Sequence, residues 1–251
     1  MSIAGSRFRT YRPRPSPALR LVCFPHAGGA ASFYRGWAEH LPDDIELAIA
    51  MYPGRENRLP DPHPDTLEGL AADFAASMPQ GVPLVLLGHS MGAAVALEVA
   101  RRMTRPPARL IVSGHPAPHR QRPNDVHLRP DDGLLAELRT VGGTTAGLLD
   151  YPEIRKLVLP MIRADYRLIE RYRCGPPAPL AIPITALIGR ADPEVDEDEA
   201  RAWESWTRSG FELHTVDGGH FHLVEYQREF VEWLTTLLTN ADPRVLPGRK
   251  T

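Results

Sequence analysis

A chain of 251 residues, 43% of them apolar, is long enough to bury one large core without disulfides or a structural metal. Its formal net charge of −2 argues against a general nucleic-acid binder, and the excess of Arg over Lys (only Lys156 and Lys250) reads as compositional bias. No run approaches the apolar length of a membrane helix, and the N-terminus lacks the apolar stretch of a signal peptide, so a cytoplasmic protein is expected.

In chain order, the arginine- and proline-rich residues 1–17 read as a flexible arm. Short β-rich apolar runs follow at 19–24, 45–52, 84–88, 110–113, 184–188 and 211–216. Helical periodicity occupies 33–41, 66–78, 91–103, 197–209 and 223–239, and residues 240–251 form a second polar, flexible tail. Strands alternating with helices predict an α/β fold, with a mostly parallel central sheet covered by helices on both faces.

One connection is too long for an ordinary crossover: about seventy residues separate the run ending at Ser113 from the one beginning at Ile184. Asp131 or Asp132 is placed to cap a helix carrying Leu134, Leu135 and Leu138. Residues 153–172 then set Ile154, Leu157, Val158, Met161, Ile162, Leu168, Ile169 and Tyr172 at helical spacing, with a kink expected at Pro160. The segment from about 120 to 177 is therefore expected to be a helical lid, inserted before the last two strands, whose apolar underside roofs a binding chamber.

Chemistry concentrates at Gly88-His89-Ser90-Met91-Gly92, which fits G-x-S-x-G. The motif needs a strand before it and a helix after it, and the flanking V-P-L-V-L-L and A-A-V-A-L-E-V-A supply both. Such a turn leaves Ser90 exposed at a helix N-terminus, poised as a nucleophile. A serine needs a base, and hydrolases of this plan run Ser, acid, His in chain order. His220, after the glycine pair of V-D-G-G-H-F-H-L, is the preferred base, with His222 its rival. Asp192, just past the fifth run, is the preferred acid, with Glu194, Asp196 and Asp217 as alternatives. A metal site built from His214 and the 220/222 pair lacks further ligands and is set aside. For the oxyanion hole, one backbone N–H should be that of Met91. The other should come from F-P-H-A-G-G, where Ala27 is the candidate donor and His26 a positioning or structural residue.

Taken together, F-P-H-A-G-G-A-A-S-F-Y, Y-P-G-R-E-N-R, G-H-S-M-G, G-G-T, R-A-D-Y-R-L-I-E-R-Y, G-R-A-D-P and G-G-H-F, in that order over about residues 19–239, resemble the type II thioesterases of polyketide and nonribosomal peptide synthesis. The resemblance implies an α/β-hydrolase fold spanning residues 18–239, with the lid, and a serine thioester hydrolase with Ser90, Asp192 and His220 as triad. It implies removal of aberrant or stalled acyl groups from the phosphopantetheine arm of acyl or peptidyl carrier proteins. Phosphopantetheine is then part of the substrate and no cofactor is expected; nor is a nucleic-acid or membrane partner, and a monomer is expected. Medium-chain release from a carrier and general carboxylesterase or lipase activity are the alternative functions. Two departures stand out: His222 replaces the Phe common in relatives after G-G-H-F, and S-G-H-P-A-P at 113–118 is less arginine-rich than expected. Arg163 and Arg167 are candidate contacts for an acidic carrier.

Overall fold

Six of the apolar runs form strands, and most are buried on both sides, which is possible only where helices cover both faces of the sheet. The computed structural model describes residues 7–142 and 147–240. Its elements are β1 (Phe8–Arg9), β2 (Leu19–Phe24), α1 (Trp37–His40), β3 (Ile45–Ala50), α2 (Leu67–Ala76), β4 (Leu84–His89), α3 (Met91–Arg102) and β5 (Arg109–Ser113). They continue with α4 (Asp131–Val141), α5 (Pro152–Arg171), β6 (Ile184–Gly189), α6 (Glu197–Arg201), β7 (Phe211–Val216), α7 (His222–Glu225) and α8 (Gln227–Asn240). The two-residue period of the strands sorts the core. Val22, Phe24, Leu84 and Leu86 pack under α2 and α3, whereas Leu21, Cys23, Val85 and Leu87 pack under α1 and α8. Among the described residues no helix is long and apolar enough to cross a membrane.

The strand order is β1-β3-β2-β4-β5-β6-β7, parallel except that β1 runs antiparallel to β3. The chain leaves β2 to build β3 on one side, then returns to place β4 on the other. The loops after β2 and β4 therefore diverge at the point where strand order reverses, the place where such sheets open a crevice. The register pairs Phe24 with Gly88, His89 with Ser113 and Ser113 with Leu187, so the loops after β2, β4, β5 and β6 leave the sheet at one end.

Within the expected arm, residues 7–17 make contacts with the body of the fold. Phe8 and Arg9 pair with Ala50 and Ile49 and cover what would be the bare edge of β3. Arg14 is buried; its guanidinium donates to the Leu41 carbonyl at 2.8 Å and to Asp43 at 2.5 Å, and its N–H donates to Glu46 at 3.1 Å. A polar, Pro-rich composition reads as loose because it lacks apolar periodicity, and here long-range ion pairs and carbonyls satisfy it instead. Residues 1–6 and 241–251 lie outside the described residues.

Between β5 and β6 the long connection folds as a helical insert with its own small core of Val126, Leu134, Leu135, Leu149, Leu159 and Ile162. Neither Asp131 nor Asp132 caps α4; Pro130 holds the N-cap position, and Asp131 accepts a 2.6 Å bond from Arg163. The helix α5 runs through Pro160 as one 20-residue element, and Leu157, expected on its apolar stripe, is exposed. Removing the buried guanidinium tests whether the arm belongs to the folding unit. Arg14→Ala strips the Leu41 carbonyl of its donor and is expected to lower stability by about 2 kcal/mol, read from the urea midpoint by tryptophan fluorescence. An unchanged midpoint would place the arm outside the cooperative unit.

Candidate active site

The turn from β4 into α3 is set by backbone crowding. A methyl at Gly92 would stand 2.0 Å from the Phe24 carbonyl oxygen, and one at Gly88 would stand 2.1 Å from the Gly92 carbonyl oxygen, so neither position accepts a side chain. Ser90, squeezed between them, takes φ 54° and ψ −126°, a conformation that costs a non-glycine residue about 1–3 kcal/mol. Its N–H is held by the Ser113 carbonyl at 2.8 Å, and its hydroxyl does not cap α3 as an N-cap serine ordinarily would. The side chain is instead presented at the positive end of that helix, facing a cavity of about 320 Å³.

Ala27, Met91 and His220 line the same cavity. Among the described residues, neither the N–H of half-buried Ala27 nor that of buried Met91 has a hydrogen-bond partner. Two free donors on one cavity lining are what the sequence reading expects of an oxyanion hole.

Asp192 reaches the site from the turn after β6. Both its oxygens lie 3.0 Å from His220 Nδ1, and one also accepts the Glu194 N–H at 2.9 Å. The pair is buried. A carboxylate only accepts, so Nδ1 carries the proton and Nε2 keeps its lone pair. Of the rivals, His222, Asp196 and Asp217 are engaged elsewhere. His222 donates from Nδ1 to the Gly219 carbonyl at 3.2 Å, which leaves its Nε2 to accept from Ser113 Oγ at 3.2 Å. That hydroxyl accepts in turn from His89 Nδ1 at 3.1 Å, forming a buried chain behind His220. Asp196 caps α6 in a reciprocal box with Glu199, and Asp217 meets Arg190 at the surface. Glu194 lines the cavity.

The insert lines the same cavity with Leu138, Leu149, Ile162, Tyr166 and Ile169, and with the polar Gln121, Arg122, Asn124 and Glu170. His115 also lines it. Arg163, read as a carrier contact, is occupied within the insert by the His127 and Arg129 carbonyls and by Asp131. Among the described residues no three His, Cys, Asp or Glu side chains gather as a metal site. Two residues to which the sequence reading gave no role, although they lie in the Y-P-G-R-E-N-R and R-A-D-Y-R-L-I-E-R-Y motifs, also meet here. Asp165 of α5 and Arg55 of the β3–α2 connection form a buried ion pair against the turn that carries Ala27. The available signal was a carboxylate at helical spacing between Ile162 and Leu168, which on an apolar stripe demands a partner.

The thioesterase-domain family model matches residues 19–238. The chain is 42% identical over 229 residues to the probable cadicidin biosynthesis thioesterase of Streptomyces griseus, covering 89% of this chain and 63% of that protein's length. It is 39% identical over 233 residues to the thioesterase PikA5 of Streptomyces venezuelae, covering 90% of this chain and 83% of the relative. Among solved structures it is similar to the type II thioesterase BorB of the borrelidin biosynthetic cluster, with a TM-score of 0.82, 40% identity, and 93% and 98% of the two chains covered.

The buried imidazoles make stability depend on pH. Burial, with smaller pushes from His220 and Arg55, lowers His26 to about 3, and burial lowers His115 to about 4, both from 6.5. Burial also lowers His89 and His222. A group whose proton affinity falls on folding binds more protons when unfolded, so its contribution is complete above about pH 6.5 and is lost as pH falls toward 4. At pH 5, His26 and His115 each are expected to cost about 2 kcal/mol relative to pH 7.5. Thermal unfolding between pH 7.5 and 5 should show a falling Tm; a flat profile would mean that these rings are not held neutral.

Proposed function

The chain belongs to the thioesterase-domain family, and from that premise we propose that it hydrolyses acyl thioesters on the phosphopantetheine arm of acyl or peptidyl carrier proteins. In this reading it clears aberrant or stalled acyl groups from a polyketide or nonribosomal peptide synthase. The observation that carries the reading is the convergence on one cavity of Ser90, a His220 held by Asp192, and the unpaired N–H groups of Ala27 and Met91.

Ser90 Oγ attacks the thioester carbonyl while His220 Nε2 takes its proton, and the buried Asp192 carboxylate stabilises the resulting imidazolium. The carbonyl oxygen, now negative, sits between the N–H groups of Ala27 and Met91, which are already oriented and cost no reorganisation. The C–S bond breaks and His220 returns its proton to the departing thiol. Water, deprotonated by His220, then attacks the acyl-serine, and Ser90 leaves with that proton. The insert acts as a lid over the acyl group, its apolar side chains packing against the acyl chain. No cofactor enters these steps, and the enzyme is read as a cytoplasmic monomer.

One acyl group offered on a carrier protein, as an N-acetylcysteamine thioester and as a p-nitrophenyl ester tests the assignment. The carrier-bound form should give the largest kcat/KM, and Ser90→Ala should cost at least about 10⁴-fold in kcat. A simple ester turned over fastest, with no gain from the carrier, would make the chain a general esterase. A sharp medium-chain optimum across a series of acyl lengths on the same carrier would assign it to chain release.

A further inference from the structure

The catalytic turn after β2 is short, glycine-rich and unsupported by strand pairing, yet one of its N–H groups must point at a developing charge to within tenths of an ångström. Its geometry is held from two sides. From the β3–α2 connection, Tyr52 donates its hydroxyl to the Pro25 carbonyl at 2.9 Å, and Arg55 Nη1 donates to the Gly29 carbonyl at 2.8 Å. From the insert, Asp165 accepts the Gly28 N–H at 2.7 Å, while Ile162, one turn earlier on α5, packs so closely that a methyl at Gly28 would stand 2.8 Å from it. Within the turn, Gly29 donates to the His26 carbonyl at 2.9 Å. That carbonyl shares its peptide plane with the Ala27 N–H, so fixing Gly29 fixes the direction of the one donor left free.

Asp165 and Arg55 close this set. They meet in a fork, two bonds of 2.7 Å, and both are almost wholly buried. One Asp165 oxygen accepts from Arg55 and Gly28 together, and one Arg55 nitrogen donates to Asp165 and Gly29 together. A buried ion pair is seldom worth more for stability than apolar side chains of the same volume. What apolar side chains cannot supply is an acceptor for the Gly28 N–H and a donor for the Gly29 carbonyl, the two residues that follow Ala27.

We propose that Asp165 and Arg55 are positioning residues for the reaction: a clamp by which α5 of the insert fixes the oxyanion donor at Ala27. The Asp165 end of α5 then moves only with the catalytic turn, and any opening of the insert takes place on the chain before Ile162. The inference rests on the proposed thioesterase reading, in which Ala27 is an oxyanion donor.

Four variants separate positioning from mere support: Asp165→Leu, Arg55→Met, the pair Arg55→Met/Asp165→Leu, and the pair Arg55→Met/Asp165→Asn. Each is measured for Tm, for kcat and KM on an N-acetylcysteamine thioester, and for the rate of Ser90 phosphonylation by a fluorophosphonate. Both single variants should lose Tm, because each leaves a buried charge unpaired. The Met/Leu pair should recover Tm yet keep kcat and labelling down about 10–100-fold, with KM within about threefold. The Met/Asn pair, whose amide oxygen still accepts from Gly28, should regain most of that loss. Wild-type kcat and labelling in the Met/Leu pair, activity that simply tracks Tm across the four, or a change confined to KM would each overturn the clamp. The labelling arm needs no thioester. A wild-type chain that labels at Ser90 but leaves thioesters intact would count against the substrate assignment alone, and the variants' labelling rates would still decide the clamp.

Discussion

The site depends on how closely α3 approaches the end of β2. Gly92 lies against the Phe24 carbonyl with no room for a methyl group, and this contact brings the loops after β2 and β4 together at the point where strand order reverses. Ser90 is strained because of it, and Ala27 and Met91 face one cavity because of it. The parallel sheet supplies the rest: its register delivers the turns after β5, β6 and β7 to the same end, with Ser113, Asp192 and His220 in place.

Burial then controls the electrostatics. His26, His89 and His115 are kept neutral by being dry, and only paired charges are admitted to the interior near the turn. Asp192 holds His220 in one tautomer, and Asp165 holds Arg55 beside the catalytic turn. Each carboxylate also accepts a backbone N–H, from Glu194 in one case and Gly28 in the other. The two ion pairs therefore orient loops as well as charges.

Much of this was legible in the sequence because it is local. The strand runs, the elbow glycines and the order Ser, acid, His are carried by residues near one another or by a periodicity of two or 3.6. His220 and His222 follow the same glycine pair, and what separates them is the contact of His222 with the Ser113 hydroxyl and the Gly219 carbonyl, which no spacing reveals. The contacts of the arm were hidden for a similar reason: Arg14 is buried by residues of the α1–β3 segment. Asp165 and Arg55 are 110 positions apart, and composition and periodicity are blind to a pair of that kind.

The most direct test of the central claim is a crystal structure of the chain after reaction with a fluorophosphonate, whose tetrahedral phosphorus stands in for the tetrahedral intermediate. The adduct is expected on Ser90 Oγ, with its phosphoryl oxygen about 2.7–3.1 Å from both the Ala27 and Met91 nitrogens and His220 Nε2 turned toward the serine oxygen. An adduct on another residue, or a phosphoryl oxygen directed away from those two N–H groups, would contradict the site described.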